Sequence, residues 1–362
     1  MKFFDKMNSM NRITKSPFLQ TADGSQITLY TIKNANGLSA GILDLGGIIQ
    51  SLSVPDRRNK FDDVVLSYQD PSLYLSNPMF FGGIIGRVSN RICQGRFELD
   101  GKIYTLPKND GPNNLHSGPE GFETRIWQAA TTSTPDSASL VLSLSSPEGD
   151  QGYPGELNIR VTYTLDDANR FGILYQAVSS QATPLSLTNH SYFNLGGPAC
   201  SNILDHMLWI DADSFTAVDE NLIPTTNYPV AGTAFDFRSP KAIRSAIFKE
   251  GEQLQYGKGF DHNWVLNDPA RFSKKLMLSE PASGRMVSVW TDMPGVQFYA
   301  GGVIDQTVPG RFGVPYARYG GLCLETQFPP DAVNRPDFPS PILQPGDKFE
   351  SRTTFEFGII DA

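Results

Sequence analysis

Three segments of the chain set polar and ionisable residues beside strand-like apolar runs, and each is rich in groups that hydrogen-bond to hydroxyls. In residues 183–195 a continuous extended chain would carry Leu185 and Leu187 on one face and Ser186, Thr188, His190 and Tyr192 on the other. In residues 321–327 the same alternation sets Leu322 and Leu324 against Cys323, Glu325 and Gln327. The third segment, Gly82-Gly83-Ile84-Ile85-Gly86-Arg87-Val88-Ser89-Asn90-Arg91-Ile92, joins permissive glycines to two arginines and an amide, groups that suit the neutral hydroxyls of a sugar. Residue chemistry alone leaves alternatives open: a structural histidine at 190, a paired structural carboxylate at 325, and an inter-strand ion pair at Arg87.

Other chemistries find less support. The glycine-rich segment lacks the Gly-Lys-Ser/Thr ending of a phosphate loop, and no Gly-x-Gly-x-x-Gly opens a helix, so a nucleotide cofactor is not expected. His116, His190, His206 and His262 stand at no short ligand spacing from one another, which argues against a catalytic metal. A hydrolase nucleophile elbow of the Gly-x-Ser-x-Gly type is missing. Trp127, Trp264 and Trp290 could stack on sugar rings but read better as core. The formal charge of -8 opposes binding to nucleic acid. No uncharged apolar run approaches the ~20 residues that span a bilayer, and residues 1–20 hold no continuous apolar signal core. The three cysteines, Cys93, Cys200 and Cys323, form no pairing pattern and read as buried thiols in a reducing, cytoplasmic setting.

These groups must be positioned by strands. Period-two alternation runs through 26–32, 137–145, 156–165, 171–178, 285–291 and 348–357, separated by clusters of Gly, Pro, Asn and Asp. Asp100-Gly101, between two alternating stretches, predicts a tight hairpin within 96–106. The best helix candidate is 239–250, with Ser239 as cap and Pro240 in the first turn. The expected fold is all-β, a large antiparallel β-sandwich with few short helices, in one domain over 16–362 preceded by a loosely held extension over 1–15.

Taken together the motifs resemble the aldose 1-epimerase (galactose mutarotase) family. Gly86-Arg87-Val88-Ser89-Asn90-Arg91-Ile92 is similar to that family's Gly-Arg-x-Ala-Asn-Arg-Ile, with Ser89 for Ala. Asn113-Asn114-Leu115-His116-Ser117-Gly118 resembles Asn-x-Leu-His-Gly-Gly, with Ser117 for Gly. Thr188-Asn189-His190-Ser191-Tyr192-Phe193-Asn194-Leu195 matches the central motif without change, and Phe260-Asp261-His262-Asn263-Trp264, Gly295-Val296-Gln297-Phe298-Tyr299 and Leu324-Glu325-Thr326-Gln327 resemble three more. The resemblance implies a galactose mutarotase-like supersandwich with no metal or organic cofactor, acting on a free aldose such as galactose or glucose. It implies His190 as general acid and Glu325 as general base, with Asn90, Arg91, His116, Tyr192, Asp261, Gln297 and Arg87 holding the sugar. A hexose-6-phosphate epimerase and a non-catalytic sugar-binding module of the same fold stand as alternatives. Nothing in the sequence separates a monomer from a dimer.

Overall fold

The computed structural model describes residues 12–304, 307 and 309–360. Nine strands form one sheet in the spatial order Gln128–Ser133, Ser137–Ser146, Leu157–Asp166, Arg170–Ser179, Phe349–Ile359, Arg285–Thr291, Ser273–Ser279, Met207–Ile210 and Lys241–Ala242. Six form a second sheet: Tyr192–Phe193, Leu322–Gln327, Gly295–Tyr299, Asp261–Val265, Ser214–Val218 and Pro224–Pro229. A third sheet of five strands is built from the N-terminal Ile13–Gln20 through Phe61–Asp63. Neighbouring strands pair antiparallel, as alternating sequences joined by short turns require.

Alternation decides which face is dry. In Leu157–Asp166 the odd positions Leu157, Ile159, Val161, Tyr163 and Leu165 are buried while Asn158 and Arg160 are exposed. On the six-stranded sheet Trp264, Val296, Phe298, Leu322 and Leu324 point into the same buried cluster as Leu140, Val161, Tyr175, Val287 and Phe355 of the nine-stranded sheet. The result is an antiparallel β-sandwich whose filling stabilises it by about 1.5–3 kcal/mol for each large side chain removed from water. The other face of the six-stranded sheet is left polar, and the functional candidates lie there.

The strands read from the sequence form, and so does the hairpin: Arg96–Leu99 pairs with Lys102–Thr105 across Asp100 and Gly101, both at positive φ. The helix expected over 239–250 is corrected. Lys241–Ala242 instead pairs with the edge of the nine-stranded sheet, leaving a single helical turn at Arg244–Ile247, and a second turn at Glu252–Tyr256 was not anticipated. Edge pairing satisfies backbone groups that a short helix would leave open, so it overrides the weak local preference. Of the extension expected over 1–15, residues 1–11 lie outside the described residues; Ile13–Gln20 pairs with Gln26–Lys33. Only Cys323 of the three thiols is fully buried, Cys93 and Cys200 being partly exposed. Trp127 and Trp264 lie in the core, whereas Trp290 is half-buried and donates its indole N–H to Glu356 at 2.8 Å. Among the described residues no helix is long and apolar enough to cross a membrane.

A buried ionisable group lies under part of the scaffold. Residues 82–86 run as a strap between the 188–190 segment and the 121–124 turn, with Ile84–Ile85 paired to Thr188–Asn189. Glu123 packs beneath this strap, so close that a Cβ on Gly83 would lie 2.6 Å from its own Cβ. It is 2% exposed and its Oε2 has no partner. Burial pushes its carboxyl up from 4.5 to about 7, only partly offset by Arg125. The folded protein therefore holds a proton between these values that the unfolded chain has lost, and stability must fall as pH rises from 4.5 to about 7. Glu123→Gln removes this dependence, which amounts to roughly 2–4 kcal/mol. Thermal melts at pH ~5 and ~8 should show the variant losing less stability than the parent across that interval; parallel losses would contradict it.

Candidate active site

The strand Leu322–Gln327 sits inside the six-stranded sheet between Gly295–Tyr299 and Tyr192–Phe193. Because Leu322 and Leu324 face the core, Cys323, Glu325 and Gln327 must face the polar side. Register then sets their neighbours: Asn263, Gln297 and Glu325 form one cross-strand row, and Asp261, Tyr299, Cys323 and Tyr192 the next. Adjacent members of such a row stand ~5 Å apart, the spacing of neighbouring strands.

His190 reaches this face by another route. The extended run expected over 183–195 is broken into three two-residue strands, Thr183–Pro184, Thr188–Asn189 and Tyr192–Phe193, each paired to a different partner. Between the last two, the strap clamps His190 from both sides of its peptide: its N–H donates to the Gly83 carbonyl at 2.9 Å and its carbonyl accepts from Gly82 at 3.0 Å. Gly82 is required there, since its φ is +65° and a Cβ would lie 2.4 Å from the Ile49 carbonyl oxygen.

The imidazole so held places Nε2 3.7 Å from Glu325 Oε1 and Nδ1 3.5 Å from Cys323 Sγ. His116 meets it edge-on with ring centres 5.2 Å apart, Tyr192 lies at 5.1 Å, and Phe80 covers both histidines at 4.8 and 5.7 Å. Arg91 sits across the cleft, donating Nε to Asp110 at 2.7 Å and approaching Asp261 to 4.0 Å. Gln297 donates its amide to Asp261 at 2.7 Å, which turns its Oε1 away as an acceptor without a donor. Glu325 Oε2 and Asn263 Oδ1 are likewise unpartnered. Buried acceptors of this kind can receive the hydrogens of a hydroxyl-bearing ligand.

Electrostatics follow from dryness. Burial holds His190 down to about 4, while burial reinforced by Asp261 and softened by Arg91 holds Glu325 well above the usual carboxylate range. Burial, with His190 and Arg91 nearby, also keeps His116 neutral. His116 Nδ1 accepts the Asn90 N–H at 3.1 Å, so its proton sits on Nε2 and that nitrogen is a donor. This bears on metals: ligand atoms of His116, His190 and Glu325 lie within 4.8 Å of one another. With one His116 nitrogen occupied by an amide and the other protonated, that side chain offers no free lone pair, and the set suits an oxygen ligand better than a cation. Phe80, Asn90, His116 and Ser117 adopt positive φ, a conformation costing non-glycine residues of order 1 kcal/mol or more.

Of the residues singled out in the sequence, His190, Glu325, Asn90, Arg91, His116, Tyr192, Asp261 and Gln297 come together in this cleft. Arg87 does not, and its expected sugar contact is corrected. The residue is 1% exposed, and its two terminal guanidinium nitrogens donate to the carbonyls of Ser146, Pro147, Pro154 and Gly155 and the hydroxyls of Ser146 and Thr183. It fastens the loop at 146–155, with no ion pair among the described residues. Phe80, Asp110 and Cys323 were missed as members of the site. A pair of aromatics, Phe80-Phe81, before two glycines was the available signal for Phe80; Asp110 had none. Size does not mark the site either, since a surface hollow of about 930 Å³ beside Ile13–Gln20 is lined by backbone-rich strand edges and holds neither histidine nor carboxylate.

Comparison with known proteins points the same way. Residues 28–356 match the family model described as aldose 1-epimerase. The chain is 42% identical over 353 residues to galactose mutarotase of Homo sapiens, covering 97% of this chain and 100% of the relative. It is 38% identical over 339 residues to aldose 1-epimerase of Escherichia coli K12, covering 92% and 96%. Among solved structures, an aldose epimerase homologue from C. elegans superposes with a TM-score of 0.84 at 32% identity, covering 92% and 99% of the two chains. A galactose 1-epimerase from Lactobacillus acidophilus gives 0.85 at 28% identity, covering 96% and 99%.

Proposed function

The chain belongs to the aldose 1-epimerase family and is a mutarotase, an isomerase of free aldose sugars, and we propose that His190 and Glu325 are the two proton carriers through which it works. The observation that carries this reading is the 3.7 Å separation of His190 Nε2 and Glu325 Oε1 in a buried cleft otherwise lined by hydroxyl-binding groups. That gap is too long for a direct hydrogen bond and leaves the two groups to address different oxygens of one hemiacetal.

The reaction needs a proton removed from the anomeric hydroxyl and one delivered to the ring oxygen as the ring carbon–oxygen bond breaks. Glu325 takes the first and His190 Nε2 gives the second, producing the open aldehyde. Rotation about the first carbon–carbon bond turns the other carbonyl face toward the former ring oxygen. Closure then returns one proton to His190 and the other from Glu325 to the new anomeric oxygen, so atoms and protons balance. Arg91, His116 and Asp261 with Gln297 hold the remaining hydroxyls while that single bond turns, which keeps the reacting ends near each other. Each positioned acid or base contributes ~100- to 10,000-fold.

The proton inventory suits this cycle. In the dry cleft burial favours the least charged form of the pair, with one proton on Glu325 and His190 neutral. The same proton count, redistributed as carboxylate and imidazolium, is the form needed for the forward step. Hydroxyls of an arriving sugar supply the hydrogen bonds that stabilise both charges.

Polarimetry of freshly dissolved α-galactose tests the assignment: His190→Asn and Glu325→Gln should each lower kcat by at least ~100-fold with the fold intact. Near-normal mutarotation in either would refute it. Glucose 6-phosphate should compete poorly, because Arg91 is already matched by Asp110 and Asp261 and offers little to a dianion; tight competition would favour the phosphate-sugar reading. The pH profile of kcat/KM should be bell-shaped. Activity is lost toward low pH, through about 4, as the pair gains a second proton and the base is neutralised. It is lost again at high pH, above the raised range of Glu325, as the pair loses its one proton. A single ionisation at the ordinary histidine value of about 6.5 would contradict this ordering.

A further inference from the structure

The His190 nitrogen that does not face Glu325 has an unusual neighbour. Nδ1 lies 3.5 Å from Cys323 Sγ, the side-chain contact on that nitrogen, and the residue's own backbone also favours the protonated ring. The thiol's position is fixed rather than incidental. Cys323 is 0% exposed, shares the polar face with Glu325 two residues along the strand, and is locked in register between Tyr299 and Tyr192. The groups facing His190 are thus Cys323 and Glu325 from one strand, His116 from the 113–118 loop, Tyr192 from its own segment and Phe80 from above, with Arg91 and Asp261 one layer out.

We infer that Cys323 is a positioning residue whose sulfur accepts the His190 Nδ1–H, fixing the tautomer so that Nε2 is the nitrogen that gains and loses the catalytic proton. This rests on the assignment of His190 as acid. In the cycle derived above the Nδ1 hydrogen never moves, so one acceptor serves both protonation states of the ring. The choice of sulfur has a consequence. A carboxylate at Nδ1 would stabilise the imidazolium and make it a weaker acid, whereas a neutral thiol is a weak acceptor that orients the ring and leaves the imidazolium strongly acidic, as protonation of a poorly basic ring oxygen demands. The thiol stays protonated, since burial and the nearby Glu325 and Asp261 carboxyls all disfavour a thiolate.

The test combines nitrogen-15 NMR of His190 with kinetics of the parent, Cys323→Ser and Cys323→Ala. The parent should show neutral His190 protonated on Nδ1. Cys323→Ala should admit the Nε2–H tautomer and lower kcat at least ~5-fold with KM changed less than ~2-fold. Cys323→Ser should keep the Nδ1–H tautomer and hold kcat within ~3-fold. Because a hydroxyl oxygen is a better acceptor, it should also move the acidic limb of the kcat profile to higher pH. An Nε2–H tautomer in the parent would overturn the inference even if a variant failed to fold, and so would an identical tautomer and acidic limb in all three proteins. His190→Asn measured alongside separates the two claims: if it turns over normally the acid assignment fails, and if it is inactive while the cysteine series is silent only the role of Cys323 falls.

Discussion

An imidazole and a carboxyl stand 3.7 Å apart in a buried cleft, and the mechanism we propose depends on one proton shared between them. Burial disfavours the charged form of each: it lowers the histidine and raises the glutamate, which draws the pair toward its uncharged form. The same count of protons, redistributed, is an imidazolium and a carboxylate. A ligand carrying hydroxyls can therefore switch the pair from storage to working form by solvating it, with no proton drawn from water.

The sandwich exists, in this view, to keep those two side chains dry and at a fixed separation. Strand alternation supplies the carboxylate, because burying Leu322 and Leu324 between the sheets leaves Glu325 no direction but the cleft. The imidazole depends on tertiary clamping by Gly82 and Gly83, and that strap in turn rests on Glu123. Arg87, at the far end of the strap, ties it to the loop at 146–155. A site built on central strands is rigid where the distance matters, while Phe80, Asn90, His116 and Ser117 reach it from loops at positive φ.

What the sequence disclosed divides along the same line. The alternation of Leu322, Cys323, Leu324 and Glu325 is a local property and was readable from period alone, as were the strands around Leu157–Asp166 and the Asp100-Gly101 turn. The orientation of Arg87 was not. A guanidinium beside a glycine-rich motif reads the same whether it faces a cleft or a cage of carbonyls, and only the packing of the 146–155 loop decides. The meeting of His116 with His190 also had no spacing to betray it, because the two arrive on separate loops. The broken run over 183–193 shows the limit of periodicity: three short strands with three partners look, in one dimension, like a single long one.

The central claim is geometric, and a crystal structure of the Glu325→Gln variant with galactose bound tests it most directly. The expected result is a pyranose whose anomeric oxygen lies within ~3.2 Å of the side chain at 325 and whose ring oxygen lies within ~3.2 Å of His190 Nε2. A sugar bound with both side chains on the same oxygen, or lodged outside the cleft, would contradict it.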